Sequence, residues 1–448
     1  MPKKKTALTI EERLQQALVP AEEQPYEVPE NWVWVRLESV ASWGSGGTPS
    51  RKHEEYYNGD ILWIKTGELN NGWIYDTEEK ITDEGLKKSS AKLFPPYSVL
   101  IAMYGATIGK VAILGVPATT NQACACAVCN QSLLYMYLFY YCISQKNVFI
   151  EKGKGGAQPN ISQIILKQHP IPLPPLSEQQ RIVERIEELF AKLDEAKERL
   201  QEVADSFAVR KAAILHKAFT GELIGKQVTE LVPLENLVDL IKIGPFGSSL
   251  HESDYIENGI PLVNPKHIVQ QRIVPQSKIS ISDEKAEELS SYKLKENDIV
   301  LGRRGEMGRC APISNREENW ICGTGSMIIR LKKEYDAKLY SLILGSQATV
   351  TYLENSAVGS TLKNLNEKIV RKIPVPQFSN EEQHEIVRLI DDLLARERAA
   401  QQAAEQALAS IELMKKSILA RAFRGELGTN KASEASALEL LRQVLAEG

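Results

Sequence analysis

Ile171-Pro-Leu-Pro-Pro-Leu-Ser-Glu-Gln179 and, much further on, Ile373-Pro-Val-Pro-Gln-Phe-Ser-Asn-Glu-Glu-Gln383 carry the same instruction twice. Prolines forbid a helix, and then Ser177 with Gln180, or Ser379 with Glu382, supplies a capping-box start. No Gly or Pro follows until Gly221 and Gly425, which stand where a glycine ends a helix. The two helix ends match as well: Ile214-Leu-His-Lys-Ala-Phe-Thr-Gly-Glu-Leu223 recurs as Ile418-Leu-Ala-Arg-Ala-Phe-Arg-Gly-Glu-Leu427, seven of ten positions being identical. The offset is 204 at the helix ends and 202 at the Ile-Pro signature, so two added residues are expected inside the second signature. Fainter echoes set Gly155–Ile161 against Gly359–Leu365 and Val99–Lys110 against Ile299–Arg309. The chain is one plan used twice.

Each helix, taken as 181–222 and its copy, has roughly 42 residues and a length of about 60 Å, far beyond what stands alone. Its apolar seam names the partner. Ile182, Ile186, Leu189, Leu193, Ala196, Leu200, Val203, Phe207 and Ile214 alternate steps of four and three, broken only at Arg210. The second seam, Ile386, Ile390, Leu393, Ala400, Ala404, Ala407, Ile411, Met414 and Ile418, breaks at Glu397. An antiparallel coiled coil about a pseudo-two-fold axis is the economical packing, and its register sets Arg210 against Glu397, Leu193 against Met414 and Phe207 against Ala400.

Between the helices lie β-rich runs with Gly, Pro and Asn turns (Trp32–Leu37, Ile61–Lys65, Val99–Met103, Val111–Leu114; Ile299–Leu301, Met327–Leu331), each set followed by one helix, Leu133–Gln145 or Ala337–Gln347. The fold class read from this is α+β: two globular domains joined and spaced by two long helices. The expected boundaries are a peripheral extension 1–27 with a short helix, a first domain 28–176, a helix 177–222, a second domain 223–378, a second helix 379–427 and a tail 428–448.

Composition excludes several function classes. Hydrophobic residues at 43% and charged residues at 25% suit a soluble protein. No apolar core follows the basic start Met1-Pro-Lys-Lys-Lys5, and the apolar run Leu133–Ile143 is too short to span a bilayer, so a cytoplasmic location and no membrane partner are expected. Six cysteines make no disulfide scaffold; Cys124-x-Cys126-x-x-Cys129 reads as a packed strand whose small side chains alternate faces, with no metal. A net charge of −4 requires any DNA contact to rest on local patches.

The layout resembles the specificity subunits of type I restriction-modification systems over essentially the whole chain. The duplicated Ile-Pro-x-Pro signature, the Ala-Phe-x-Gly-Glu-Leu termini at 218–223 and 422–427 and Val28-Pro-x-x-Trp32 carry the resemblance. It implies two target recognition domains, each reading half of a bipartite, asymmetric sequence in double-stranded DNA. It implies helices that set the spacer and dock two methyltransferase subunits, with motor-nuclease subunits joining. Cofactors on this chain are none; S-adenosylmethionine, ATP and Mg²⁺ would belong to the partners. A scaffold of the same architecture that no longer reads DNA is the competing reading.

No catalytic constellation appears. Asn264-Pro265-Lys266 is not a methyltransferase motif. Gly105-Ala-Thr-Ile-Gly-Lys-Val111 has three residues between its glycines, not four, and a Val where a metal-binding hydroxyl must stand. The candidate DNA contacts are polar residues in turns. Arg303 and Arg304, within Gly302-Arg-Arg-Gly305, can present bidentate donors to guanine; Tyr104 occupies the place of this turn in the first copy, and Lys110 aligns with Arg309. Arg51, Lys52, Lys65, Lys154, Lys266, Arg272 and Lys363 are candidate phosphate contacts, and His267 reads as an ordinary loop histidine.

Overall fold

Pro170–Leu173 is an extended strand, as its prolines require, paired antiparallel with Val33–Arg36; Pro374–Val375 pairs in the same sense with Val232–Pro233. The computed structural model describes residues 9–153, 159–356 and 364–447. These form two compact units: the chain up to Arg199 with Ala407 onward, and Leu200–Gln406.

The same sheet plan recurs in each unit. In unit 1 the strands Ala41–Ser45, Cys124–Cys129, Val99–Ala102, Val111–Leu114 and Trp73–Ile74 lie side by side in that order, and Tyr57–Ile64 runs between Lys80–Ile81 and Thr119–Thr120. In unit 2 the order is Val238–Ile243, Ser326–Leu331, Asp298–Gly302 and Cys310–Pro312, with Ile260–Val263 between Ser280–Ile281 and Ile321–Cys322. The helices Tyr135–Ser144 and Ala337–Leu344 follow where the sequence puts them, but each is succeeded by a second helix, Lys146–Lys152 or Gln347–Ser356, where one alone was expected. Both units are α+β. Strand Cys124–Cys129 alternates as expected: Ala125 and Ala127 enter the core under Tyr137–Tyr141, and Cys124 and Cys126 enter a second core with Leu100 and Leu114. Burial pushes the Cys124 thiol up to about 12, so it is a packing residue and not a thiolate.

Four further expectations need correction. The two extra residues do not lie inside the second signature. Tyr137 donates to the Pro172 carbonyl and Tyr340 to that of Pro376; Leu37 donates to His169 and Leu234 to Ile373. The offset is therefore 376 − 172 = 373 − 169 = 204 here too. Prolines spaced by two let the signature match itself two residues out of step. Next, the first helix starts earlier than its capping box: it spans Leu176–Asp205, and the Pro175 carbonyl accepts from Glu178 and Gln179 while Ser177 sits inside the first turn. The Ser379–Glu382 box does form.

The first helix is also locally distorted, although i→i−4 bonds from Ser206 to Glu202 and from Arg210 to Ser206 carry it through. Ser206 (φ −78°, ψ −11°) separates Leu176–Asp205 from Phe207–Phe219, and its hydroxyl turns back onto the Val203 carbonyl at 2.6 Å, the competition that makes serine a poor interior helix residue. Asn380–Ala422 runs unbroken, and Gly221 and Gly425 take the left-handed φ of +81° and +75° expected beyond helix ends. Last, the N-terminal extension is not peripheral, and the tail contains a helix that packs with it. Leu14 and Ala17 of the helix Ile10–Ala17 and Ala437 and Leu441 of the helix Ala437–Glu447 are buried in one core with Trp32, Tyr137 and Phe423. Arg181 closes this arrangement with a bidentate bond to Glu434.

The long helices pair antiparallel within each unit. Lys197 meets Glu412 at 2.8 Å and Asp194 meets Lys415 in unit 1; in unit 2 Arg210 Nε donates to Glu397 at 2.9 Å and Lys226 to Glu382 at 2.7 Å. Arg210 also stacks over Phe207, 4.3 Å from the ring centre. The seam is buried only at its ends, by Ile182, Ile186, Ile386 and Ile390, and at Phe207, Ala404 and Ile411. Met414, assigned to the seam, is 50% exposed; Lys415 takes that side, its ammonium 5.0 Å over the Phe190 ring. Two helices alone offer each residue one neighbour, so middle layers stay open to water.

A buried glutamine joins each helix to its domain. Gln179 accepts from the Leu134 amide and donates to the Ser132 and Pro174 carbonyls; Gln383 accepts from Asp336 and donates to Glu334 and Phe378.

Candidate nucleic-acid interface

Each unit projects one tight turn from the end of its central strand. In unit 2 the strand Asp298–Gly302 delivers Arg303, whose amide donates to Gly325 at 2.8 Å and whose Nε donates to the Leu365 carbonyl at 2.8 Å. Leu365 N–H returns to Arg303 O, and Arg304 lies opposite Asn364 in a single antiparallel bridge. Gly305 and Gly308, at φ +83° and +74°, let the chain reverse, and Gly308 must be glycine because a Cβ there would stand 2.5 Å from Val350. Met307 anchors the turn in the core. Arg309 donates to the Pro265 carbonyl and pairs with Glu306.

The two arginines therefore separate. Arg303 is half-buried and spends its Nε on the main chain, and burial, with the Arg304 charge beside it, holds its guanidinium below the usual range. Arg304 is exposed and has no ion pair among the described residues. Lys266 is exposed on the neighbouring turn Pro265–His267, whose His267 is buried with Nδ1 against Leu262 O and Asn264 N. Asn264 Oδ1, Ser326 Oγ and Asn364 Oδ1, all close to this turn in the fold, are buried without a hydrogen-bond partner among the described residues. Arg272 is exposed at the end of a two-residue hairpin.

Unit 1 repeats the frame with different tips. The strand Val99–Ala102 leads to Tyr104, 46% exposed and bridged to Asn160; Gly105 N–H donates to Pro159 O, and Gly105 and Gly109 take positive φ. Lys110 is half-buried behind it. Arg51 and Lys65 do not stand free: both sit on Glu79, at 2.7 and 2.9 Å, and Arg51 stacks 4.4 Å over Tyr57. Lys52 is exposed. Lys154 and Lys363 lie outside the described residues.

Sequence reasoning missed Asn160 and Asn364, the bridge partners of the two tips. The signal was present, since both fall at one place in the echo Gly155–Ile161 and Gly359–Leu365. Among the described residues, no group of three or more His, Cys, Asp or Glu side chains is placed to hold a metal ion, and no helix is long and apolar enough to cross a membrane.

The family model for the type I restriction modification DNA specificity domain matches residues 29–205 and 235–407. The chain belongs to this family. It is 25% identical to the EcoBI specificity subunit of Escherichia coli, over 94% of this chain and 93% of that one. It is 28% identical to the MjaIX specificity subunit of Methanocaldococcus jannaschii, over 62% of this chain and 68% of that one. A crystal structure of the HsdS subunit from Thermoanaerobacter tengcongensis has the same fold: TM-score 0.62 and 20% identity, covering 90% of this chain and all of that one. The two matched segments fall one on each half of the repeat, so this specificity subunit carries the recognition module twice.

Proposed function

We propose that the two units read the two halves of a bipartite, asymmetric DNA target, unit 1 through the turn at Tyr104 and unit 2 through the turn at Arg304. The observation that supports this is one frame with two tips: the same strand, bridge and pair of left-handed glycines hold a phenol in one unit and a guanidinium in the other. A guanidinium can give two hydrogen bonds to a guanine edge, whereas a phenol can give or take one, so the tips select different bases. Lys266, Arg272, Lys52 and Lys110 serve phosphates. The paired helices set the gap between half-sites and dock two methyltransferase subunits, with motor-nuclease subunits completing the assembly in the cytoplasm.

Chemistry lies with those partners, which bring S-adenosylmethionine, ATP and Mg²⁺; this chain contributes recognition alone. Exchanging residues 28–176 for those of a relative, in a complex with active methyltransferase, tests the division. The expected result is a methylated motif changed in one half only. A change in both halves, or methyl transfer by the purified chain alone, would overturn it.

A further inference from the structure

We propose that an exposed aromatic cluster on unit 1 receives an arginine or lysine side chain of a protein partner. The cluster is Trp73, Tyr75, Tyr97 and Tyr135. Trp73 stacks with Tyr75 (ring centres 6.1 Å, planes 16° apart) and meets Tyr97 and Tyr135 edge-on at 6.1 and 5.9 Å; Tyr97 and Tyr135 are 5.0 Å apart. Trp73, Tyr75 and Tyr97 are 36, 63 and 56% exposed, a large apolar area to leave in water.

The cluster is built rather than incidental. Tyr97 holds φ +66°, a left-handed conformation that a bulky L-residue adopts only at a cost. At the same point of unit 2, before the matching strand, stands Asn297 with φ +67°, the residue type suited to it. There Asn297 caps inward, bonding Tyr335 O and Ala337 N, whereas Tyr97 faces its aromatic neighbours. Gly115 leaves room for Tyr75, since a Cβ there would lie 2.2 Å from the ring.

Charge identifies the occupant. Glu187 of the long helix corresponds to Asp391 in the second copy, since 187 + 204 = 391. In unit 2 Lys338, on the first turn of the helix Ala337–Leu344, neutralises Asp391 at 2.5 Å. In unit 1 the corresponding turn is Tyr135-Met136-Tyr137 and holds no cation. Glu187 has no ion pair among the described residues, and burial first, then Tyr97 and the Glu187 charge, raise the Tyr135 phenol. A carboxylate beside aromatic faces is a cation site, and Trp, Tyr and Arg are the residues that dominate protein interfaces.

Position separates this site from the DNA face. Tyr97, Gly115 and Trp73–Ile74 lie at one end of the strands Val99–Ala102 and Val111–Leu114, and Tyr104 and Lys110 lie at the other, a strand length of about 13 Å away. On the proposed reading of the Tyr104 turn as the DNA face, and with the unpaired Glu187 carboxylate repelling phosphate, the occupant is a basic side chain of a protein.

The full-length chain labelled with 5-fluorotryptophan tests this by ¹⁹F NMR, the Trp73 signal being assigned with Trp73→Phe. Ethylguanidinium is the probe. It should shift the Trp73 resonance saturably while the other five tryptophans stay put. Glu187→Gln, and Tyr135→Lys, which installs an internal cation, should each weaken the response roughly fivefold, the share of a partly exposed cation site. Tyr97→Asn should keep the fold and lose the response. An unmoved Trp73 signal, an equal shift with sodium propionate, or indifference to Glu187→Gln would overturn the proposal. So would a Trp73 shift caused by duplex DNA, which would assign the cluster to the nucleic acid; the half-site exchange above is unaffected by any of these outcomes.

Discussion

Replacing Glu397 with Gln keeps its size and removes one charge from the pair with Arg210. Unit charges about 4 Å apart are worth about 4 kcal/mol at an effective dielectric of about 20. The Arg210 and Glu397 side chains are 38 and 25% exposed, so solvent removes most of that. A coupling of about 1 kcal/mol remains. Arg210→Ala removes the pair and also the stacking on Phe207 at 4.3 Å. That stacking adds about 0.5–1 kcal/mol, so the total loss is about 2 kcal/mol. A chain with two cores does not unfold in one step, so the measurement is native-state hydrogen exchange of the amides after Ser206. Opening free energies should fall by about 1 and 2 kcal/mol in the single variants, with the double variant about 1 kcal/mol short of their sum. The shortfall should shrink in 1 M salt. Additive losses, or a more protected helix in Glu397→Gln, would refute an ion pair at this layer.

Arg304→Ala should cost about 1–3 kcal/mol at the half-site read by unit 2 and relax its base preference. Arg303→Ala should instead loosen the turn and raise exchange at Leu365, which duplex-binding assays and hydrogen exchange distinguish. Gln383→Ala removes the partner of the half-buried Asp336 amide and of the Glu334 and Phe378 carbonyls and should cost about 1–3 kcal/mol in the exchange stability of unit 2, with unit 1 unaffected. His169 is buried between Lys152 and Gln145, and burial first, then the Lys152 charge, pulls it down to about 3. The unfolded chain protonates near pH 6.5 while the folded chain does not, so this contribution is complete above that pH. It fades by about 1.4 kcal/mol per unit as pH falls toward about 3. His169→Gln should flatten the acid limb of unit 1 exchange; an unchanged slope would show that His169 is protonated in the fold.

The repeat, the helices and the Arg210–Glu397 layer were legible because each depends on local or periodic signals: prolines, glycines and steps of three and four. The local distortion at Ser206 was not, since a single serine in an apolar-periodic segment is ordinary and what marks it is one hydrogen bond to Val203. The N-terminal helix looked peripheral, and the helix in the tail went unread, because their burial depends on one another across the length of the chain. At the candidate interface, Gly302-Arg-Arg-Gly305 marked the turn, but nothing in the sequence separates Arg303 from Arg304. That distinction comes from the Leu365 carbonyl, sixty-two residues away. Arg51 and Lys65 looked available for phosphates because Glu79 is remote in sequence and adjacent only in the fold.

Gln179 and Gln383 touch only main-chain atoms of the domains they hold: the carbonyls of Ser132 and Glu334, the amides of Leu134 and Asp336. Every residue type offers a carbonyl, and all but proline offer an amide, so the joint does not read the side chains at 132–134 or 334–336. The coupling thus behaves like a threaded fitting of standard bore. Whatever reading surface is mounted on it, the helix presents the same screw, and a domain of altered preference can be seated without recutting the shaft.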